Sequence, residues 1–88
     1  MRHTEASLAI LAEVDRASLL YPDWPVDPVH AAAVLAEESG ETVQAALDYC
    51  YSDGELSRIQ EEAIQAGAMA MRILMGLDNY ERLTGYKK

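Results

Sequence analysis

The apolar residues of this chain recur every three or four positions in three long stretches. These stretches run from about 4 to 20, from about 28 to 51 and from about 54 to 77. This spacing is typical of amphipathic helices. Since β-branched residues never alternate with polar ones over a useful length, no strand is predicted. The pattern therefore predicts an all-α fold of three helices, forming one domain over residues 1–88.

Local sequence signals place the helix ends. Thr4 is predicted to cap the first helix, and the prolines of YPDWPVDP end it. Asp27 followed by Pro28 is a strong start signal for the second helix, because Asp caps well and Pro suits the first helical position. The tail at 78–88 is expected to hold one short helical piece.

A tight turn is expected between the second and third helices. Ser52 and Glu55 have the spacing of a reciprocal capping box around Gly54. A turn near 51–52 makes the two helices antiparallel neighbours. The fold class is therefore an antiparallel helical hairpin plus an N-terminal helix, which oligomerises into a helical bundle.

The buried faces of the hairpin helices follow from a rotation of about 100° per residue. On the second helix, one face collects small and apolar side chains and is expected to be buried: Ala32, Leu35, Ala36, Val43, Ala46, Leu47 and Cys50. Glu37, Glu38 and Glu41 lie along the border of this face. On the third helix, Glu62 falls among apolar positions and is expected to point at least partly inward.

The register of the hairpin brings acidic residues of the two helices to the same height. Glu41 is expected to stand opposite Glu62, and Glu38 opposite Gln65, about 15 Å from the turn. Glu37 lies beside this cluster. Ionised carboxylates at a partly dry helix interface repel one another unless protons or a cation compensate. The alternative is a solvated acidic helix face.

An oxygen-only ligand set suits a hard cation, Mg²⁺ or Mn²⁺. For zinc, the chain offers only His3, His30 and Cys50, which have no recognisable spacing. The sequence therefore predicts a magnesium or manganese site at the glutamate cluster.

The acidic composition limits the classes of partner. The chain has 15 acidic and 7 basic residues, a net charge of −8, which argues against binding to nucleic acid or to a membrane surface. A chain of 88 residues is near the size at which one core becomes marginal, so a homodimer or homotetramer is expected. With one cysteine, no signal sequence and no bilayer-length apolar run, a cytoplasmic location is expected.

The acidic motifs resemble the signature of the MazG-like all-α nucleoside triphosphate pyrophosphohydrolases, Glu-Glu-x-x-Glu followed by Glu-x-x-Asp. The first half is EESGE at 37–41, and the second is EAIQ at 62–65, where Gln65 replaces the family aspartate. The resemblance covers the hairpin from about 28 to 77.

The resemblance implies a Mg²⁺-dependent enzyme that splits a nucleoside triphosphate into monophosphate and pyrophosphate. It implies that Glu38, Glu41 and Glu62 bind metal, and that Glu37 is a ligand or a base that orients water. An amide at position 65 can still coordinate, but it carries no charge and cannot act as a base.

Three further residues are candidates for binding the substrate. Arg72 is placed to reach a phosphate, or else is a solvated helical arginine. Arg58 is placed to do the same, or else pairs with Glu55 or Glu61. Trp24 is placed to stack on a base, or else covers the core. Two other functions stay open: a weakly active or inactive relative that binds metal or nucleotide as a regulatory or assembly module, and a purely structural helical oligomer.

Overall fold

Three long helices make up most of the protein. The computed structural model describes residues 1–82, and its helices are α1 (His3–Leu20), α2 (Pro28–Tyr51) and α3 (Leu56–Met75). A short 3₁₀ helix follows at Leu77–Asn79. Within the described residues there is no strand. The prediction of an all-α chain is therefore confirmed, and most of the predicted tail at 78–88 lies outside the described residues.

The two predicted N-caps have different outcomes. Asp27 caps α2 as predicted, because its Oδ1 accepts a hydrogen bond of 2.9 Å from the Val29 amide. The prediction of Thr4 as the cap of α1 is wrong. The helix begins at His3, and the backbone N–H of Arg2 donates to Glu5 Oε1 at 3.2 Å. Glu5 thus satisfies the amide that precedes the first turn.

The turn between α2 and α3 depends on Gly54. The amides of Ser52 and Gly54 both donate to the Asp48 carbonyl, at 2.9 and 3.1 Å. A Cβ on residue 54 would lie 2.7 Å from the backbone carbonyl carbon of Asp48. The predicted Ser52–Glu55 capping box is absent, because Ser52 is the C-cap of α2 and Glu55 is the N-cap of α3. The tight turn itself is present.

Helix α3 is central and packs against both α1 and α2. The core is small and consists of Val14, Ala17, Ala68 and Met69, with Trp24, Val34, Leu35 and Met71 packed against it. At the α1–α3 crossing, a Cβ on Gly67 would lie 2.8 Å from Ile10 Cδ1. That glycine therefore permits the close approach of the two helices.

The prediction for the buried face of α2 is wrong for most of its residues, although Leu35 does pack against the core. The fully buried residues of α2 are Ala31 and Ala45, whereas Val43 and Leu47 are 60% and 46% exposed and Cys50 is exposed. Small side chains at 31 and 45 let α3 approach closely on that side. The more apolar side of α2 is left facing solvent.

Candidate metal centre

Three carboxylates meet where α2 and α3 pack together. Glu38 and Glu41 lie one turn apart on α2, and Glu62 approaches from α3. One carboxylate oxygen from each residue lies within 4.8 Å of the other two. The predicted juxtaposition of these three side chains is therefore present in the structure.

Two oxygens of this cluster are buried without a hydrogen-bond partner within the described residues. They are Glu38 Oε2 and Glu62 Oε2. Only 12% of the Glu62 side chain is exposed. A buried polar atom with no partner costs about 1–3 kcal/mol, and more when the group is charged. Such oxygens are expected where a proton or a cation completes the site.

The environment of the cluster disfavours ionisation. Burial raises the pKa of Glu38, and the charges of Glu41 and Glu62 raise it further. A hydrogen bond to Glu41 raises the pKa of Glu62, with burial as the second cause. Without a cation, the cluster therefore retains protons above the ordinary pH range of glutamate.

Arg58 supplies a partial counter-charge. Its Nη2 lies 3.7 Å from Glu62 Oε1, and its Nη1 lies 4.0 Å from Asp48 Oδ2. Half of the Arg58 side chain is exposed. Although Arg58 lowers the pKa of Glu62, the opposing causes are larger. A single exposed guanidinium therefore does not balance the three carboxylates.

A cavity of about 580 Å³ opens beside the cluster. Glu37, Glu38 and Gln65 line its near end. Glu37 is exposed, and Glu41 and Glu62 are absent from the lining. Among the three clustered carboxylates, Glu38 is thus the one that joins the cluster to the cavity.

Arg72 and Trp24 line the cavity as well. Arg72 is 7% exposed, so its alternative interpretation as an ordinary surface arginine is wrong. Its Nη2 donates to the Tyr21 carbonyl at 2.8 Å, and its guanidinium carbon lies 4.7 Å from the centroid of the Trp24 ring. Arg72 therefore ties α3 to the proline-rich loop at the end of α1.

The indole N–H of Trp24 already has a hydrogen-bond partner within the chain. Its Nε1 donates to the Tyr80 hydroxyl at 2.8 Å, and that hydroxyl donates to the Ile73 carbonyl at 3.1 Å. The indole also packs against the core. Trp24 thus covers the core and at the same time forms part of the cavity wall.

The contribution of α1 to this cavity does not follow from the sequence pattern. Glu13 and Arg16 line it and form an ion pair, with Arg16 Nη2 2.6 Å from Glu13 Oε2. Their i,i+3 spacing predicts the pair. The spacing does not predict which helix Glu13 and Arg16 face, because the crossing of α1 over α3 depends on tertiary packing.

Comparisons with protein-family models, with curated proteins and with solved structures find no match to this chain. Within residues 1–82, none of the helices combines the length and the hydropathy needed to cross a bilayer.

Proposed function

We propose that this protein hydrolyses nucleoside triphosphates to monophosphate and pyrophosphate with Mg²⁺ or Mn²⁺. The observation that carries the proposal is the pair of buried, unpartnered oxygens, Glu38 Oε2 and Glu62 Oε2, which converge with Glu41 beside a cavity. The resemblance of EESGE and EAIQ to the MazG-like signature supplies the reaction. Neither observation alone specifies both the site and the chemistry.

The donor set fits a hard divalent cation. Glu38, Glu41 and Glu62 would hold the ion through carboxylate oxygens, and the amide oxygen of Gln65 is a further neutral donor. When bound, the cation neutralises charge on phosphate oxygens and lowers the pKa of a coordinated water. For a chain with a net charge of −8, it also provides the attraction that an anionic substrate requires.

Glu37 is the residue to which we assign the proton transfer. It is exposed, lines the cavity and is adjacent in sequence to Glu38. In the reaction, the water oxygen bonds to phosphorus at the α–β anhydride while the bond to the bridging oxygen breaks. Pyrophosphate and monophosphate are the two products, and Glu37 accepts the proton of the attacking water.

The far end of the cavity suits the nucleoside rather than the phosphates. Arg72 lies seven residues beyond Gln65, which is about 10 Å along the axis of α3. A triphosphate held at the glutamate cluster therefore extends its sugar and base toward Arg72 and Trp24. The cavity volume of about 580 Å³ falls in the usual range for small-molecule sites.

The direct test is to incubate the protein with ribo- and deoxyribonucleoside triphosphates and Mg²⁺ or Mn²⁺, and to separate the products by chromatography. We expect monophosphate and pyrophosphate, with a loss of at least about 100-fold in Glu62→Gln. Glu61→Gln is the matched control, because Glu61 is the exposed neighbour on the same helix. Equal turnover in the two variants would contradict the assignment of Glu62.

A second function is favoured by one residue. Gln65 carries an amide where the family has an aspartate, so this chain has one fewer charge for holding cations. This supports a weakly active or inactive relative that binds metal or nucleotide in a regulatory or assembly role. Turnover that appears only in Gln65→Asp would favour this second function.

A further inference from the structure

Arg72 is a buried cation whose hydrogen-bond donors are mostly unused within the chain. The residue is 7% exposed, yet among residues 1–82 it forms no ion pair with a carboxylate. Its side chain makes one hydrogen bond there, from Nη2 to the Tyr21 carbonyl. A guanidinium has five N–H donors and no acceptor, and it stays charged in proteins. Most of the donors of Arg72 are therefore available to a ligand or to water.

These unused donors can be reached from open space. In the described part of the chain, the buried side-chain atoms without a partner are two glutamate oxygens, and no arginine nitrogen is among them. Arg72 lines two cavities, of about 580 and 220 Å³. The larger is the one that Glu38 joins to the carboxylate cluster. A molecule that is held at the cluster and extends along this cavity therefore meets hydrogen-bond donors at Arg72.

Contacts on two sides hold the guanidinium of Arg72 in one orientation. The Tyr21 carbonyl accepts from Nη2 at 2.8 Å, and the ring centroid of Trp24 lies 4.7 Å from the guanidinium carbon. Trp24 is fixed in turn, because its Nε1 donates to the Tyr80 hydroxyl. A donor group that is already held in place loses little freedom when a ligand binds, so it discriminates well between ligands. Arg72 is therefore suited to recognition as well as to attraction.

Two other nitrogen donors in the cavity wall are already used. Trp24 Nε1 is bonded to Tyr80, and the guanidinium of Arg72 lies over the indole ring. Arg16 donates from Nε and Nη2 to the two carboxylate oxygens of Glu13, at 2.8 and 2.6 Å. The donor fork of Arg16 is thus occupied by a carboxylate of its own helix, whereas the fork of Arg72 is not.

The edge of a nucleobase farthest from its sugar carries either an oxo or an amino group. Guanine, hypoxanthine, uracil and thymine have an oxo group there, which accepts hydrogen bonds, whereas adenine and cytosine have an amino group, which donates them. With the triphosphate at the glutamate cluster and the base extended toward Arg72, this edge faces the guanidinium. A group that only donates can pair with the oxo group but leaves the amino group without a partner.

We propose that Arg72 selects nucleotides whose base carries an oxo group at this edge and disfavours those that carry an amino group. This inference rests on the proposed hydrolysis of nucleoside triphosphates, and it names the class of base that the site accepts. Arg72 donates to the oxo oxygen through N–H groups that Tyr21 does not use. In guanine and hypoxanthine, N7 is a second acceptor beside the oxo oxygen.

The test uses two pairs of triphosphates that differ at this edge by exchange of oxo for amino: inosine against adenosine, and uridine against cytidine. With Mg²⁺, we expect kcat/KM to be about tenfold or more higher for the oxo member of each pair, because the amino member leaves polar groups unpaired. In Arg72→Gln the ratio should fall to near one, because an amide both donates and accepts. Arg72→Lys, which keeps donors alone, should retain a ratio above one.

Arg16→Gln is the matched control, because it makes the same substitution in the same cavity at an arginine whose fork is already occupied. It should keep the ratio of the native chain. Circular dichroism verifies that each variant is folded. A folded Arg72→Gln that keeps the native ratio would overturn the proposal. Equal kcat/KM within both pairs in the native protein would also overturn it, and that result needs no variant.

Equilibrium binding separates this inference from the proposed function. The probes are the α,β-methylene analogues of the four triphosphates, whose α–β linkage cannot be hydrolysed, and calorimetry with Mg²⁺ gives their dissociation constants. Tighter binding of the oxo member of each pair, without turnover of the natural triphosphates, would support the role of Arg72 and contradict the proposed hydrolysis. Equal turnover of all four triphosphates would do the reverse. Absence of binding by all four analogues would contradict both.

Discussion

At the scale of single residues, the two unpartnered oxygens of Glu38 and Glu62 are the most informative atoms in the protein. An acidic run on a helix is usually solvated, and Glu37 and Glu41 on their own fit that description because both are exposed. Glu62 does not fit it, since its side chain is only 12% exposed and its Oε2 has no partner among the described residues. We therefore expect a proton or a cation at this cluster in the folded protein.

Replacing Glu62 by an uncharged isostere separates stability from metal binding. In the absence of metal, we expect Glu62→Gln to raise the free energy of unfolding by about 1 kcal/mol, because the repulsion with Glu41 and Glu38 is relieved. We expect millimolar Mg²⁺ to raise the melting temperature of the native protein, and the same variant should lose this increase. Thermal denaturation of Glu62→Gln and Glu61→Gln, each with and without Mg²⁺, measures both effects. A purely structural oligomer would show no Mg²⁺ effect in any of the three proteins.

The raised pKa values of Glu38 and Glu62 predict two opposite responses to pH. Between the ordinary value of 4.5 and the raised value, the folded protein binds more protons than the unfolded chain. Through these two groups, the metal-free protein therefore gains stability as the pH falls through the raised pKa toward 4.5. Protons also compete with the cation, so the stabilisation by Mg²⁺ should shrink over the same window. Melting curves between about pH 8 and pH 5, with and without Mg²⁺, test this, and a Mg²⁺ effect that grows toward low pH would contradict it.

At the scale of the helices, the turn at Gly54 sets the register that brings the carboxylates together. A methyl group there would lie 2.7 Å from the backbone carbonyl carbon of Asp48 and 2.9 Å from the backbone nitrogen of Tyr49, which cannot rotate away. We expect Gly54→Ala to lower the free energy of unfolding by about 1–3 kcal/mol. Gly67→Ala is the comparison, because its contact is the end of the Ile10 side chain and alanine favours the helix. Chemical denaturation measures the free energy of unfolding of both variants. An equal loss in Gly54→Ala and Gly67→Ala would show that the turn is packed no more tightly than the α1–α3 crossing.

The helices themselves could be predicted from the sequence, because apolar spacing and the Asp27-Pro28 start signal are local features. The meeting of Glu41 with Glu62 could be predicted as well, since a tight turn fixes which positions of a hairpin stand level. Two features could not be predicted from the sequence. The burial of Arg72 depends on a loop that returns across α3. The buried face of α2 depends on which side of that helix packs against α3. An apolar pattern predicts that a face is covered, but not whether the same chain covers it.

At the scale of the whole molecule, the net charge of the chain opposes the association that its small size predicts. Each chain has a net charge of −8, so two copies repel one another at long range. For the predicted homodimer or homotetramer, we expect the dissociation constant to fall by several-fold between about 20 mM and 500 mM NaCl, because salt screens the repulsion. Sedimentation at the two salt concentrations measures this. A dimer that weakens with salt would indicate that ion pairs hold it together.

The contact between Trp24 and Arg72 has a practical consequence. Trp24 is the single tryptophan of the chain, and it stands in the cavity wall with its ring beside a guanidinium and its Nε1 bonded to Tyr80. Indole emission responds to nearby charge and to the polarity around the ring. The protein therefore carries its own fluorescent reporter at the cavity, and binding of the proposed nucleotide can be tested in the native chain without a label.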